Sequence, residues 1–422
     1  MTSTTLDLAA LQRRTVRVLI AGQILGGLGI GATLSIGSVL AAEVSGSEAW
    51  AGSAATLSTL GAAAVAIPLG RLTRRHGRRV SLALGTGIAL LGAIVTVAAA
   101  AIAFFPLMLL GFAMLGSGAA VGLQSRFAAT DVADPRHRGR DLSIVVWSAT
   151  VGSVVGPNLF GPGEVIATWL RMPPLTGSFV IAVIAQLAAV CVYAFALKPD
   201  PYLVSQALAA EAPATDEAQP TADSASERAA GVMHNRTMVI VTIGILGLSH
   251  ATMIAVMSMT PVHLVHHGTS LAGVGLTLSL HIAGMFALSP VFGWLSDTYG
   301  RYRVILLGQA MFAISLVIVA LGEQSMALVT VGLIFLGLGW SASTVSASAL
   351  LGDLVTGAAR PIIQGRSDLV MNLAGAVGGA AAGPALALVG YPGLAASAGV
   401  LVAAVVVAVV TVGRPSSRTR TA

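Results

Sequence analysis

Cysteine is nearly absent from this chain, because among its 422 residues there is only one, Cys191. A disulfide within the chain is therefore excluded, and so is a metal cluster held by cysteines. Charged residues are also scarce, at 9% of the sequence, whereas 55% of the residues are hydrophobic. A soluble domain does not have this balance. The composition is that of an all-α protein that crosses the membrane several times.

Several functional signatures are also missing. No nucleotide-binding or hydrolytic motif occurs, so we expect neither an enzyme nor a resident cofactor. The N-terminus lacks a secretory signal pattern, since its arginines lead directly into an apolar run too long for a signal peptide. Charged residues such as Arg126, Asp141 and Asp368 fall near one membrane face. The sequence therefore shows no carboxylate at mid-depth that would couple transport to protons.

Apolar runs of about 20 residues, separated by charges and turn residues, predict twelve membrane-spanning helices. They cover approximately residues 18–42, 51–69, 80–103, 106–127, 142–162, 175–197, 237–262, 271–293, 304–321, 327–350, 367–390 and 394–413. All 23 Lys and Arg residues except Arg171 fall on the side that the two termini share. Because cytoplasmic loops retain basic residues, we expect both termini in the cytoplasm and the helices in the inner membrane. The net charge of +6 is thus a topology signal, and no nucleic-acid partner is expected.

The chain divides into two halves. Residues 198–236 are rich in Ala, Pro, Ser, Asp and Glu, a composition that cannot bury enough apolar surface to fold alone. We predict a flexible cytoplasmic linker there, between a six-helix bundle at 1–197 and a second six-helix bundle at 237–422.

The two halves repeat one another. The segment GRLTRRHG at 70–77 precedes the third predicted span, and GWLSDTYG at 293–300 precedes the ninth. Two more pairs recur in corresponding places, Gly139-Arg140 with Gly365-Arg366 and Gly156-Pro157 with Gly383-Pro384. A parallel duplication of this kind places the substrate site near the midplane, between halves that rock to alternate access.

These landmarks resemble the major facilitator superfamily over nearly the whole chain. The residues that match its cytoplasmic loop motif are Gly70, Gly77 and Arg78 in the first copy and Gly293, Asp297, Gly300 and Arg301 in the second. The resemblance implies that the acidic residue, Asp297, and the basic residues after it latch the halves together as a cytoplasmic gate. In the first copy Arg74 occupies the acidic position, so we expect that latch to be altered or absent.

The fifth predicted span contains Gly156 and Pro157, which resemble the Gly-Pro motif of drug/proton antiporters. Close helix packing explains such a motif equally well. In the fourth span, Phe112 and Leu115 replace the Arg and Gln that those antiporters carry. Efflux of drugs or small organic metabolites is therefore the alternative interpretation.

Methionine and histidine residues form pairs in two consecutive spans. Met253 and Met257 are four residues apart in the seventh span, and His281 and Met285 are four apart in the eighth. Spacing of i, i+4 places both members of a pair on one helix face. A rise of about 1.5 Å per residue places Met253 and His281 at nearly the same depth in the membrane. His250 and Met285 lie about one turn further from the outer face.

Thioether sulfur and neutral imidazole are ligands that suit Cu(I). The two pairs also resemble the branch of copper importers that supplies cytochrome oxidase assembly, which implies that Met253, Met257, His281 and Met285 bind copper in transit, with His250 beside them. Methionine is equally common as a packing residue. Our leading prediction is copper uptake, with the lipid bilayer and a small solute or metal ion as partners. The direction of transport, the coupling ion and the oligomeric state stay open.

Overall fold

A computed structural model describes residues 7–46, 50, 53–155, 160–173, 175–211 and 222–412. These residues form long helices joined by short turns. The α-helices are α1 (Leu8–Ser45), α2 (Ser53–Ala101), α3 (Phe105–Ala128), α4 (Arg138–Val155), α5 (Phe160–Trp169), α6 (Gly177–Cys191), α7 (Pro201–Glu211), α8 (Ala222–His266), α9 (Leu271–Phe286), α10 (Ser289–Tyr299), α11 (Arg301–Leu321), α12 (Met326–Leu354) and α13 (Arg360–Val412).

Eight helical segments of the described residues are long and apolar enough to cross a membrane. Two of them, Thr56–Ala101 and Gly357–Thr411, contain 46 and 55 residues. At about 1.5 Å per residue, each is much longer than one crossing of a hydrocarbon core of about 30 Å. Each therefore makes two passes, and α1 and the α4–α5 pair bring the total to the predicted twelve.

Glycines with positive φ make the reversals between passes. Gly77 in α2 has φ 85°, and Ser81 just beyond it donates a hydrogen bond of 2.8 Å to the carbonyl of Leu69 on the preceding pass. Gly300, at the equivalent place in the second repeat, has φ 95° between α10 and α11. L side chains rarely adopt this conformation, so glycine is required at both positions. The repeat seen in the sequence is thus a repeat of backbone conformation.

Each half packs its own apolar core. In the first half one buried cluster includes Leu19 and Tyr193, and another includes Phe112 and Phe179. In the second half, the largest cluster joins α8, α9, α11, α12 and α13 around Phe312. A smaller cluster joins Leu142 and Val146 of α4 to residues of α9 and α12, and so connects the halves.

The predicted linker contains a described helix, α7, at Pro201–Glu211. The side chains of Pro201 and Tyr202 are buried. Residues 212–221 lie outside the described part of the chain, and α8 begins at Ala222. The boundaries and flexibility of the linker stay a prediction. Below, the end of the bundle that carries Gly77, Arg138, Gly300 and Arg360 is called the basic end.

Candidate functional site

Asp297 joins the two halves at the basic end. Its carboxylate accepts hydrogen bonds from the backbone N–H groups of Gly139 and Arg140, at 2.9 and 2.8 Å, where α4 begins. Arg301, one turn further along the chain, pairs with the same carboxylate. A helix N-terminus carries a partial positive charge and unpaired N–H groups, so an acid of the second half is bound to a helix of the first.

The first copy of the motif makes different contacts. Arg74, which replaces the acid, is exposed. Arg78 is buried instead and donates to Asp131 at 2.7 Å and to Gln364 of α13 at 2.7 Å. Arg360 lies 3.6 Å from the same Asp131 carboxylate. The first half is thus connected to the second through a buried charge network, and the role of this first copy as a latch stays a prediction.

Glycines permit the close approach of the halves on both sides of the basic end. A Cβ built on Gly70 would meet the backbone of Pro361, where α13 begins. A Cβ built on Gly293 would meet Ser143 and the backbone of Gly139, where α4 begins. Equivalent glycines of the two repeats therefore make equivalent contacts with the opposite half.

Arg126 and Asp368 form a buried ion pair between the halves. The Arg126 Nη2 atom of α3 donates to Asp368 Oδ1 of α13 at 2.7 Å, and both side chains are at most 2% exposed. Sequence reasoning placed these two residues separately near a membrane face and missed the pair. Their opposite charges, near the same predicted membrane face, were the available signal.

Three rings from α8, α9 and α12 meet above this ion pair. Trp340 Nε1 donates to His250 Nδ1 at 2.9 Å, and Phe286 packs edge-on against Trp340 with ring centroids 5.7 Å apart. Phe286 also packs against the cluster of Leu142 and Val146 from the first half. The ring group, defined by His250, Phe286 and Trp340, therefore lies beside the boundary between the halves.

The hydrogen bond from tryptophan determines the tautomer of His250. An indole N–H only donates, so Nδ1 of His250 accepts and the neutral ring carries its proton on Nε2. That N–H is on the side of His250 that faces Gly375 of α13. The ring group thus combines apolar ring surface with an imidazole N–H that lies against α13 at Gly375.

The predicted methionine and histidine pairs lie in the core of the second half. Met253 and Met285 are buried members of its largest cluster, and Met257 packs against that cluster. His281 is fully buried between α9 and α12, and its Nδ1 is 2.8 Å from the carbonyl oxygen of Leu333. Among the described residues, no group of three or more His, Cys, Asp or Glu side chains is arranged to hold a metal ion.

At the end opposite the basic end, a pocket of about 480 Å³ lies within the second half. Its lining includes His263, which stacks on Tyr391 with ring centroids 4.1 Å apart and contacts the Glu323 carbonyl oxygen at 2.7 Å. The ring of His267 also contacts that of His263, with ring centroids 4.2 Å apart and planes tilted by 42°. The side chain of His266 and the residues Gly156 and Pro157 lie outside the described part of the chain.

A sequence profile described as "Major Facilitator Superfamily" matches residues 19–265 and 241–422. The chain belongs to this superfamily. It is 35% identical over 394 residues to the uncharacterized MFS-type transporter YdeG of Bacillus subtilis (strain 168), an alignment that covers 93% of this chain and 90% of that protein.

Two further proteins are similar to this chain over most of its length. The riboflavin transporter RfnT of Brucella anthropi is 29% identical over 365 residues, which are 86% of each chain. The crystal structure of the human organic anion transporter MFSD10 has the same fold, with a TM-score of 0.72, 15% identity and coverage of 94% of this chain and 99% of that one. The chain is therefore a major facilitator superfamily transporter.

Proposed function

We propose that this transporter moves a small organic solute with a planar aromatic group across the cell membrane by alternating access. The observation that carries the proposal is the ring group, in which Trp340 donates to His250 and packs against Phe286. Aromatic pairs favour offset or edge-to-face contacts with a further ring, and such contacts contribute about 0.5–1.5 kcal/mol each. Similarity to a protein named as a riboflavin transporter supports this substrate class.

The position of the ring group fits a transport site. The inter-half hydrogen bonds of Asp297, Arg78 and Arg126 all lie at the basic end. The positive-inside rule assigns the basic end to the cytoplasm. A solute then reaches the ring group from the outer side while these bonds are made, and it leaves on the cytoplasmic side after they break. Efflux, the alternative predicted from the sequence, would use the same steps in the reverse order.

Copper uptake is the second candidate. The one observation that favours it is the Nε2 atom of His281, which is buried and has no partner among the described residues, with Met285 one turn away on the same helix. The Nδ1–H of His281 donates to the Leu333 carbonyl oxygen, which leaves the Nε2 lone pair free as in metal-bound histidines. One contact weighs against copper, since Met253 packs in the apolar core. The relatives reported above lend copper no support.

The test uses purified protein in liposomes with radiolabelled riboflavin as the probe and its uptake as the readout. Loss of the ring in Trp340→Ala is expected to raise KM about tenfold, because stacking and the hydrogen bond to His250 are both lost. Trp340→Phe keeps a ring, so its KM is expected to lie between those of the parent and Trp340→Ala. Met253→Ala, in the core of the same half, is the control and should keep the parent KM.

Copper is measured in the same preparation by mass spectrometry. Copper uptake that falls in His281→Ala and Met253→Ala but not in Trp340→Ala would replace the proposal with the copper hypothesis. Riboflavin and flavin-like dyes that neither enter the liposomes nor compete for binding would contradict the aromatic substrate class.

A further inference from the structure

Asp200, which lies between the last turn of the sixth span and α7, contacts the cytoplasmic loop of the first half. Its Oδ2 atom accepts a hydrogen bond of 2.8 Å from the backbone N–H of Arg79, a residue 121 positions away in the sequence. Its Oδ1 atom accepts from the N–H groups of Tyr202 and Leu203, at 3.0 and 3.2 Å, at the start of α7. One carboxylate therefore holds two helix ends together.

The loop around Gly77 is shaped to receive this carboxylate. Gly77 has φ 85°, and a Cβ built on it would meet the Asp200 carboxylate. In the second half, the equivalent Gly300 has no heavy atom within 4 Å of a built Cβ. The acid is thus specific to the first copy of the motif, the copy in which Arg74 replaces the acidic residue.

Helix α7 bridges the two halves. Its residues contact α2 of the first half and the 3-10 turn Gly357–Ala359, which directly precedes Arg360 in the second half. Tyr202 is buried at the start of α7. The segment held by Asp200 therefore packs on the charge network that connects the halves.

We propose that Asp200 is a positioning residue of the cytoplasmic gate, and that it binds α7 across the gate while the basic end is closed. Arg360 and the turn before it move away from Arg78 when the basic end opens, so the bound α7 stabilises the closed arrangement. The carboxylate acts through α7 and touches no solute. The inference rests on the alternating access proposed above, but not on any particular solute.

The test measures how often the basic end opens, without any solute. Cys191→Ala removes the native cysteine, and Ser143→Cys introduces one at a buried position between α4 and α10. Ser143 lies at the other contact between the halves, away from α7. A membrane-impermeant maleimide added to inside-out vesicles reports its exposure. Asp200→Ala in this background is expected to speed labelling about threefold to tenfold, the effect of losing a charge-assisted hydrogen bond on the closed state.

Three further variants distinguish an effect of Asp200 on the cytoplasmic gate from an effect that is confined to α7. Asp200→Asn keeps one acceptor oxygen but turns its NH2 group toward backbone N–H donors on the other side, so it is expected to label at a rate between those of the parent and Asp200→Ala. Asp134→Ala removes another carboxylate at the basic end, which among the described residues accepts a hydrogen bond from the nearby Arg136 N–H, and it should label as the parent does. Gly77→Ala, which pushes on the carboxylate from the other side, should resemble Asp200→Ala and replaces it if that variant fails to fold.

Asp297→Ala is the positive control, because it breaks the contact of the second half with α4. Faster labelling in Asp297→Ala together with the parent rate in Asp200→Ala and Gly77→Ala would overturn the proposal, and so would equal acceleration in Asp134→Ala. If no variant is labelled faster, Asp297→Ala included, alternating access itself is contradicted. A failed riboflavin assay leaves the labelling result unaffected.

Discussion

At the scale of single residues, the ion pair of Arg126 and Asp368 is costly to break. Both side chains are out of water, and Arg126 Nε and Asp368 Oδ2 have no further partner among the described residues. Removing one partner leaves a buried charge unpaired, which typically costs about 3–5 kcal/mol. Replacing both charges by apolar groups costs less, because no charge then needs to be compensated.

Asp368→Ala and Arg126→Ala are each expected to lower the stability of the purified protein strongly, by about 3–5 kcal/mol. The double variant Arg126→Leu/Asp368→Leu should recover part of that loss. Thermal unfolding of all variants in one detergent measures the coupling between the two residues. Additive losses, with the double variant as unstable as the sum of the single ones, would contradict a direct contact between the halves at this pair.

At the scale of helices, glycines decide how closely the halves approach. Gly70 in α2 lies against the backbone of Pro361, whereas Gly87, in the same helix, has no heavy atom within 4 Å of a built Cβ. The two positions have the same residue and the same local structure. Their surroundings alone differ, so they form a matched pair for substitution.

Gly70→Ala is expected to separate α2 from α13 at the basic end, to reduce uptake at least severalfold and to lower the unfolding temperature, because backbone atoms cannot move aside. Gly87→Ala should keep full uptake and gain up to about 1 kcal/mol in stability, the usual difference between Ala and Gly inside a helix. Uptake into liposomes and thermal unfolding are the measurements. Equal behaviour of the two variants would show that the halves do not meet at Gly70.

At the scale of the whole molecule, each half has its own core, and the halves meet at the basic end through polar contacts and glycines and through apolar contacts of Phe127 and Leu142 with the second half. The apolar clusters around Tyr193 and Phe179 belong to the first half, and the cluster around Phe312 belongs to the second. The covalent connection at residues 212–221 is therefore not what keeps the halves together. Cores of this kind behave as separate folding units.

Co-expression of residues 1–211 and 222–422 as two chains is expected to give a complex that copurifies through a tag on either chain and retains uptake. Residues 1–199 with 222–422 are the matched comparison, since they lack Asp200 and α7. This second pair should associate but open at the basic end more often, as measured by the labelling of Ser143→Cys. Failure of both pairs to associate would contradict the view that the inter-half contacts suffice.

Much of the architecture could be predicted from the sequence. Scarce charge and long apolar runs determined the membrane class and the twelve spans, because a hydrocarbon core excludes charge and requires about 20 apolar residues per helix. The recurrence of Gly77 as Gly300 determined the duplication, since only glycine readily adopts the backbone conformation that the reversal needs. The acid at Asp297 was recognisable through the resemblance of its loop to the superfamily's motif, because the first copy has Arg74 in its place.

Only the tertiary structure decided which side chains face one another. Membrane helices are apolar on most sides, so hydrophobic periodicity does not report how each helix is rotated about its axis. The i, i+4 spacing placed His281 and Met285 on one face of their helix, but packing against Leu333 directs that face into the core. The rotation of each helix also decides contacts between residues distant in sequence, such as Arg126 with Asp368 and Asp200 with Arg79. These contacts form only when separate helices pack together, so the sequence of any one helix does not predict them.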